Sequence, residues 1–262
     1  MQAHIAHLEY LLRLGDSSLV LGQRLGEWTG HGPVLEEDIA MANVALDLVG
    51  QARLLLTHAA QLEGAGRDED QLAYFRDARA YRNFSICELP NSGLEKGRTQ
   101  SGDYAFSIVR NLLYCAYQVQ LWQRLSSSAD AQLAGIAAKS LKESTYHLRH
   151  AADWTIRFGD GTEESHARAQ RALDALWPYT NELFADDAVE QEVAEAGIGV
   201  LNESLREDWH AQVVAVLEEA TLREPRPSHL LTTGKTGLHS EHLDFLLAEM
   251  QVLARAHPGA VW

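Results

Sequence analysis

Two short stretches of the chain carry residue types that could hold a metal. Between Lys139 and Trp154 (KSLKESTYHLRHAADW) Glu143 and His147 lie four residues apart. On a helix that spacing puts them one turn apart, with Leu148 and Ala151 continuing an apolar stripe. Carboxylate-bridged metal sites in helical bundles use a tighter device, a Glu and a His at i and i+3 on each of two helices. His147 is present, but Ser144 stands where that Glu belongs, so the acid is displaced to Glu143, about 100° around the helix. Asp47 to Gln51 echoes Glu143 to His147 at a distance of 96 residues, with Leu48 in the position of Ser144.

Iron bridged by carboxylates needs anionic oxygens to balance its charge. Leucine supplies none and serine only a neutral hydroxyl. Two further glutamates are expected on the first and third long helices. The stretches around Gln23 and from Asn111 to Gln118 hold none, Glu27 being the nearest acid to the former. These residues predict no bound metal and no catalytic residue, with Leu48, Gln51, Ser144 and His147 as vestigial positions. Asp47, Glu143 and His147 would then be polar groups inside a bundle, expected to hydrogen-bond one another or a nearby Arg or Lys.

Other candidates have simpler readings. Arg76, Arg79 and Arg82 recur at steps of three beside Tyr81 and Phe84. The spacing reads as a solvated helix face pairing with local acids, or as an anion-binding rim. Gly234-Lys235-Thr236 resembles the end of a phosphate-binding loop, but His229 occupies the required glycine position and no strand precedes it. Ser240 reads as a helix N-cap, so Glu241 complements the helix dipole and His239 and His242 flank it. Cys87 and Cys115 lack metal-ligand spacing and read as buried free thiols.

The elements that must position these groups are long helices. Apolar residues at helical spacing predict helices over about 4–29 (with Gly15 and Asp16 as a break or kink), 36–63, 103–125 and 129–158. At 22 to 30 residues these would be about 33 to 45 Å long. Further helices are expected over 163–184 (kinked at Pro178), 203–222 and 240–256, and a turn-rich loop from Pro90 to Gly97. No alternating strand pattern occurs. The expected fold is all-α, a long four-helix bundle with additional C-terminal helices, as one domain over 1–262. A formal charge of −15 argues against nucleic acid and anionic membranes. With no signal-like segment and no uninterrupted apolar run of spanning length, a cytoplasmic protein is expected.

Several stretches resemble, in order along nearly the whole chain, the structural C-type subunits of the bacterial ring-epoxidising phenylacetyl-CoA monooxygenases, a ferritin-like family. They are LRLGDSSLVLGQRLGEWTGHGP (Leu12 to Pro33), LDLVGQAR (Leu46 to Arg53), KESTYHLRH (Lys142 to His150), TGKTGLHSEHL (Thr233 to Leu243), LAEMQ (Leu247 to Gln251) and PGAVW (Pro258 to Trp262). The resemblance implies a ferritin-like bundle without its own metal, paired with a homologous catalytic A subunit that holds the di-iron cofactor and epoxidises the aromatic ring. It also implies other subunits of the complex, including a reductase, and leaves open a homodimer when the chain is alone. Tyr81, Arg82, Asn83 and Phe84 are candidate contacts to the coenzyme A portion of the substrate, whose phosphates and adenine suit arginine and aromatic groups. Trp28, Trp122, Trp154 and Trp262 are candidate interface aromatics. The competing readings are a metal-loaded oxidase using Glu143 and His147, and a helical interaction protein unconnected with oxygenation.

Overall fold

The computed structural model describes residues 2–94 and 102–260. Among them the fold is all-α, as expected of a ferritin-like chain, with one isolated bridge between Thr233 and Leu238. The helices are α1 (Gln2–Gly26), α2 (Leu35–Glu63), α3 (Glu69–Tyr74), α4 (Ser85–Glu88), α5 (Tyr104–Leu125), α6 (Ala131–Gly159), α7 (Glu163–Leu176), α8 (Ala188–Glu195), α9 (Arg206–Glu219) and α10 (Glu241–Ala256).

The long helices begin and end where local chemistry directs. Glu36, Glu37 and Asp38 occupy the first turn of α2, and Gly64 closes it in the left-handed conformation at φ 66°. The Ser240 hydroxyl caps α10 by accepting the His242 N–H at 3.3 Å. Two expectations about breaks need correction. α1 is not interrupted at Gly15 and Asp16, where Gly15 serves packing: a Cβ there would lie 2.9 Å from Leu56 Cδ2. The predicted helix 163–184 changes type, α7 ending at Leu176 and a 3₁₀ helix running from Trp177 to Phe184 with Pro178 in its first turn. α8, which apolar spacing did not predict, is short and opens with a capping box between Asp187 and Glu190. Of the expected loop after Pro90, the part beyond residue 94 lies outside the described residues.

Two compact units are present, Met1–Leu89 with Thr232–Trp262, and Pro90–Leu231. In the first, α1 and α2 form an antiparallel hairpin. Gly15 meets Leu55 and Leu56 while Gly22 meets Ala45, Leu48 and Val49, so the register runs in opposite senses. By length and composition α2 would pass as a membrane span, with a mean hydropathy of 1.4 over its best window. Asp47 and Arg53 interrupt its apolar run, and 44% of that window is buried inside the protein.

In the second unit α5 pairs antiparallel with α6, the Tyr104 ring standing edge-on to Trp154 and Phe158 at 5.9 and 6.3 Å. α9 is pinned to α5 by Trp209, whose Nε1–H donates to Leu113 O at 2.9 Å while its ring packs on Phe184 and Trp177. Aromatic bodies with one satisfied polar tip suit this role.

Candidate functional site

On α2, Leu48 is buried against Gly22 of α1, in a contact so close that a Cβ on Gly22 would lie 3.3 Å from Leu48 Cβ. One turn on, Gln51 is fully buried. On α6, Ser144 and His147 are buried, and the Ser144 hydroxyl has no hydrogen-bond partner among the described residues. Glu143, one residue before Ser144, keeps 17% of its side chain exposed and pairs with Lys139 one turn earlier at 3.3 Å, as expected of a polar group there with a lysine near it.

None of the buried residues of α5 is acidic, and one of them is the fully buried cation Arg110, which donates to Asn91 Oδ1 at 2.6 Å. On α1 the buried acid Asp16 is committed to Arg76, and Glu27, just beyond its end, pairs with Arg24 at 2.7 Å. Each taken within its own unit, α2 presents a hydrocarbon and an amide at Leu48 and Gln51, and α6 a hydroxyl and an imidazole at Ser144 and His147; neither pair is the Glu and His that a carboxylate-bridged site takes from one helix.

The arginine and aromatic stretch has a different structure from the solvated helix face considered for it. α3 ends at Tyr74, and residues 78–80 make a single 3₁₀ turn, so the three arginines do not share a helix. Arg76 is buried and makes a two-pronged ion pair with Asp16 of α1, one prong at 3.0 Å. Its guanidinium also lies 4.5 Å from the centre of the Tyr81 ring. Burial works to lower the Arg76 pKa, but the Asp16 carboxylate, with Tyr81 and Glu9 nearby, outweighs it and the net shift is upward. Burial also drives the Tyr81 phenol well above its ordinary value, Asp16 adding to the effect. That hydroxyl donates to Ala73 O and accepts from Gln251 of α10 at 3.0 Å.

Beside this pair lies a second buried cluster. The fully buried Glu88 carboxylate accepts from His239 Nδ1 at 2.8 Å, from Asn83 Nδ2 at 2.9 Å and from the Ser240 N–H at 2.6 Å. His239 Nε2 faces Tyr81 O at 3.1 Å, so both ring nitrogens lie within hydrogen-bond distance of an oxygen. Arg24 donates to the carbonyls of Glu88 and His242, each at 2.9 Å. His239 is therefore a partner of Glu88 and not merely a flanking residue. Asp16, Arg24, His239 and Gln251 belong to stretches that carried the family resemblance, and here they lock α1, the 76–88 segment and α10 together. No sequence signal reveals these partners, which are 60 to 218 residues apart.

Of the candidate coenzyme A contacts, Tyr81, Asn83 and Phe84 are buried and serve this lock. Arg82 keeps 24% of its side chain exposed and is ion-paired to Glu9. Of the aromatics read as interface groups, Trp28 and Trp122 are spent inside the fold, Trp154 is half-buried against Tyr104 and Phe158, and Trp262 lies outside the described residues. Both cysteines are buried and free, as expected, and burial pushes the Cys115 thiol up to about 12.

Known proteins resemble this chain along nearly its whole length. The family model described as phenylacetic acid catabolic protein matches residues 2–262. The C subunit of the 1,2-phenylacetyl-CoA epoxidase of Escherichia coli (strain K12) is 48% identical over 253 residues, covering 97% of this chain and 98% of that protein. A match that spans both chains almost end to end, on an all-helical fold whose polar lock is assembled from the same stretches that carried the resemblance, makes this protein a member of the phenylacetic acid catabolic protein family.

Proposed function

We propose that the chain is a non-catalytic, structural subunit of a phenylacetyl-CoA epoxidase complex acting in aerobic phenylacetate catabolism in the cytoplasm. Its work is to pair with the catalytic A subunit, which carries the di-iron cofactor, and to hold that subunit in an active form open to the reductase. The observation that carries this reading is the ligand set itself: Leu48, Gln51 and Ser144 stand where metal-binding groups would be needed, in a chain similar over its whole length to an epoxidase C subunit. The buried lock around Asp16 and Glu88 supports it, since those charged groups are spent on holding the fold.

Co-expression with an A subunit, with metal measured on each purified component, is the test. A stable heteromer is expected, with an interface above about 2,000 Å² in total, and iron confined to the A subunit. An A subunit that turns over at full rate without this chain would refute the reading. Ferrous reconstitution of the isolated chain to near two irons would favour the competing metal-loaded oxidase. Ser144→Glu alone should not create a site, because α2 still offers only Leu48 and Gln51. Contact with the coenzyme A portion of the substrate falls to Arg82, the one candidate with surface to offer. Arg82→Ala is expected to raise the apparent KM of the complex without preventing assembly.

A further inference from the structure

Within the second unit, the buried sides of α5 and α6 carry polar side chains that the protein does not itself satisfy. Gln118 and Trp122 on α5 are each 1% exposed, and Ser140 on α6 is fully buried. Both polar atoms of the Gln118 amide, the Trp122 indole nitrogen and the Ser140 hydroxyl are shielded, and none has a hydrogen-bond partner among the described residues. Buried polar groups are nearly always paired, because a hydrogen bond left unmade away from water costs the full desolvation of the group.

Comparable groups elsewhere in the chain are satisfied. The buried hydroxyls of Ser18 and Thr155 each donate to the carbonyl four residues earlier, at 3.1 and 2.8 Å, the usual recourse of a hydroxyl inside a helix. Ser140 does not take that bond. The Trp209 indole N–H reaches Leu113 O at 2.9 Å, whereas that of Trp122 reaches nothing described.

The helical pair brings these groups to one level. Gln118 and Trp122 are one turn apart on the same side of α5. Tyr104 of α5 stands against Trp154 and Phe158 of α6, and following both helices from there at about 1.5 Å per residue sets Gln118 level with about residue 142 and Trp122 with about residue 138. Ser140 is the buried residue of α6 in that span. Its neighbours along the buried stripe, Ala137 and Ser144, are small as well, which gives α6 a low profile opposite two long side chains.

The chemistry of the four groups selects an occupant. Gln118 Nε2 and the Trp122 N–H only donate, Gln118 Oε1 only accepts, and the Ser140 hydroxyl does either. A metal ion is unsuited, since none of them is an anionic oxygen, an imidazole or a thiolate. An anion has no proton to give Gln118 Oε1. Water both donates and accepts, and a buried water commonly makes about three bonds to groups otherwise unsatisfied.

We propose that Gln118, Trp122 and Ser140 form a binding site for internal water between α5 and α6. Ser144, a turn further from Trp122, is not required for it. The site concerns one helical pair and does not depend on the epoxidase reading.

The test uses the full-length chain. A high-resolution crystal structure should show an ordered peak within hydrogen-bond distance of both the Gln118 amide and Trp122 Nε1, and crystals grown in bromide should give no anomalous signal there. A bromide signal would identify an anion site and overturn the proposal. A dry interior, with these side chains bonded to one another or to the backbone, would overturn it too. In solution, with 15N-labelled tryptophan, the Trp122 indole proton, assigned by its absence from Trp122→Phe, should show an Overhauser effect to water of the sign that marks a long-lived bound molecule rather than proton exchange. Gln118→Met, of similar length but without the amide, should reduce that effect at least about fivefold with the helical circular dichroism retained, because a water left with too few polar partners is not held. No effect in the unaltered chain, or one indifferent to Gln118→Met, refutes the site.

Discussion

Asp16→Ala probes the lock most directly. Asp16 is fully buried, takes both prongs of the Arg76 guanidinium and accepts the Arg82 N–H at 2.8 Å. Removing the carboxylate leaves Arg76, itself buried, with the carbonyls of Leu72 and Ala80 as its hydrogen-bond partners among the described residues, apart from the Tyr81 ring. Stripping one member from a buried ion pair costs about 3–5 kcal/mol, chiefly because the other charge is left without its counter-ion. That is a large share of a stability of about 5–15 kcal/mol. At about 2–4 °C per kcal/mol for a chain near this size, the midpoint should fall by roughly 6–20 °C. Urea unfolding followed by far-UV circular dichroism measures the loss. The double variant Asp16→Leu/Arg76→Met, which removes both charges, should be more stable than Asp16→Leu alone. A loss below about 1 kcal/mol for Asp16→Ala, the range of an exposed pair, would refute the claim that this ion pair holds the segment in place.

Three further outcomes follow from single contacts. Gly159→Ala should destabilise the chain by at least about 1–3 kcal/mol, read by thermal melting, because the added Cβ would fall 1.8 Å from the Ala220 carbonyl oxygen. Ser144→Ala should be neutral or stabilising by up to about 1–3 kcal/mol, since the buried hydroxyl has no partner among the described residues to lose; a marked loss in urea melts would show that the hydroxyl is engaged. Cys115, with its thiol pushed up to about 12, should stay unmodified by a thiol reagent at neutral or mildly alkaline pH in the folded protein and react fully in denaturant. The sign is set by burial, which favours the neutral thiol over the reactive thiolate.

The residues themselves determined the all-α class and the four long helices to within a few residues. Those features are local: apolar spacing, caps such as Ser240 and the closing glycine at 64 are all set within one or two turns. Helix type around Pro178 and the short α8 were less legible, because brief segments draw most of their stability from what they pack against. Only tertiary structure decided the fate of the charged residues. Arg76, Arg79 and Arg82 have the spacing of a helix face, yet the chain there is largely extended and Arg76 turns inward to an acid 60 residues away. Whether a charge is solvated or buried depends on its partner, and a partner supplied from a distant part of the chain leaves no trace in local periodicity.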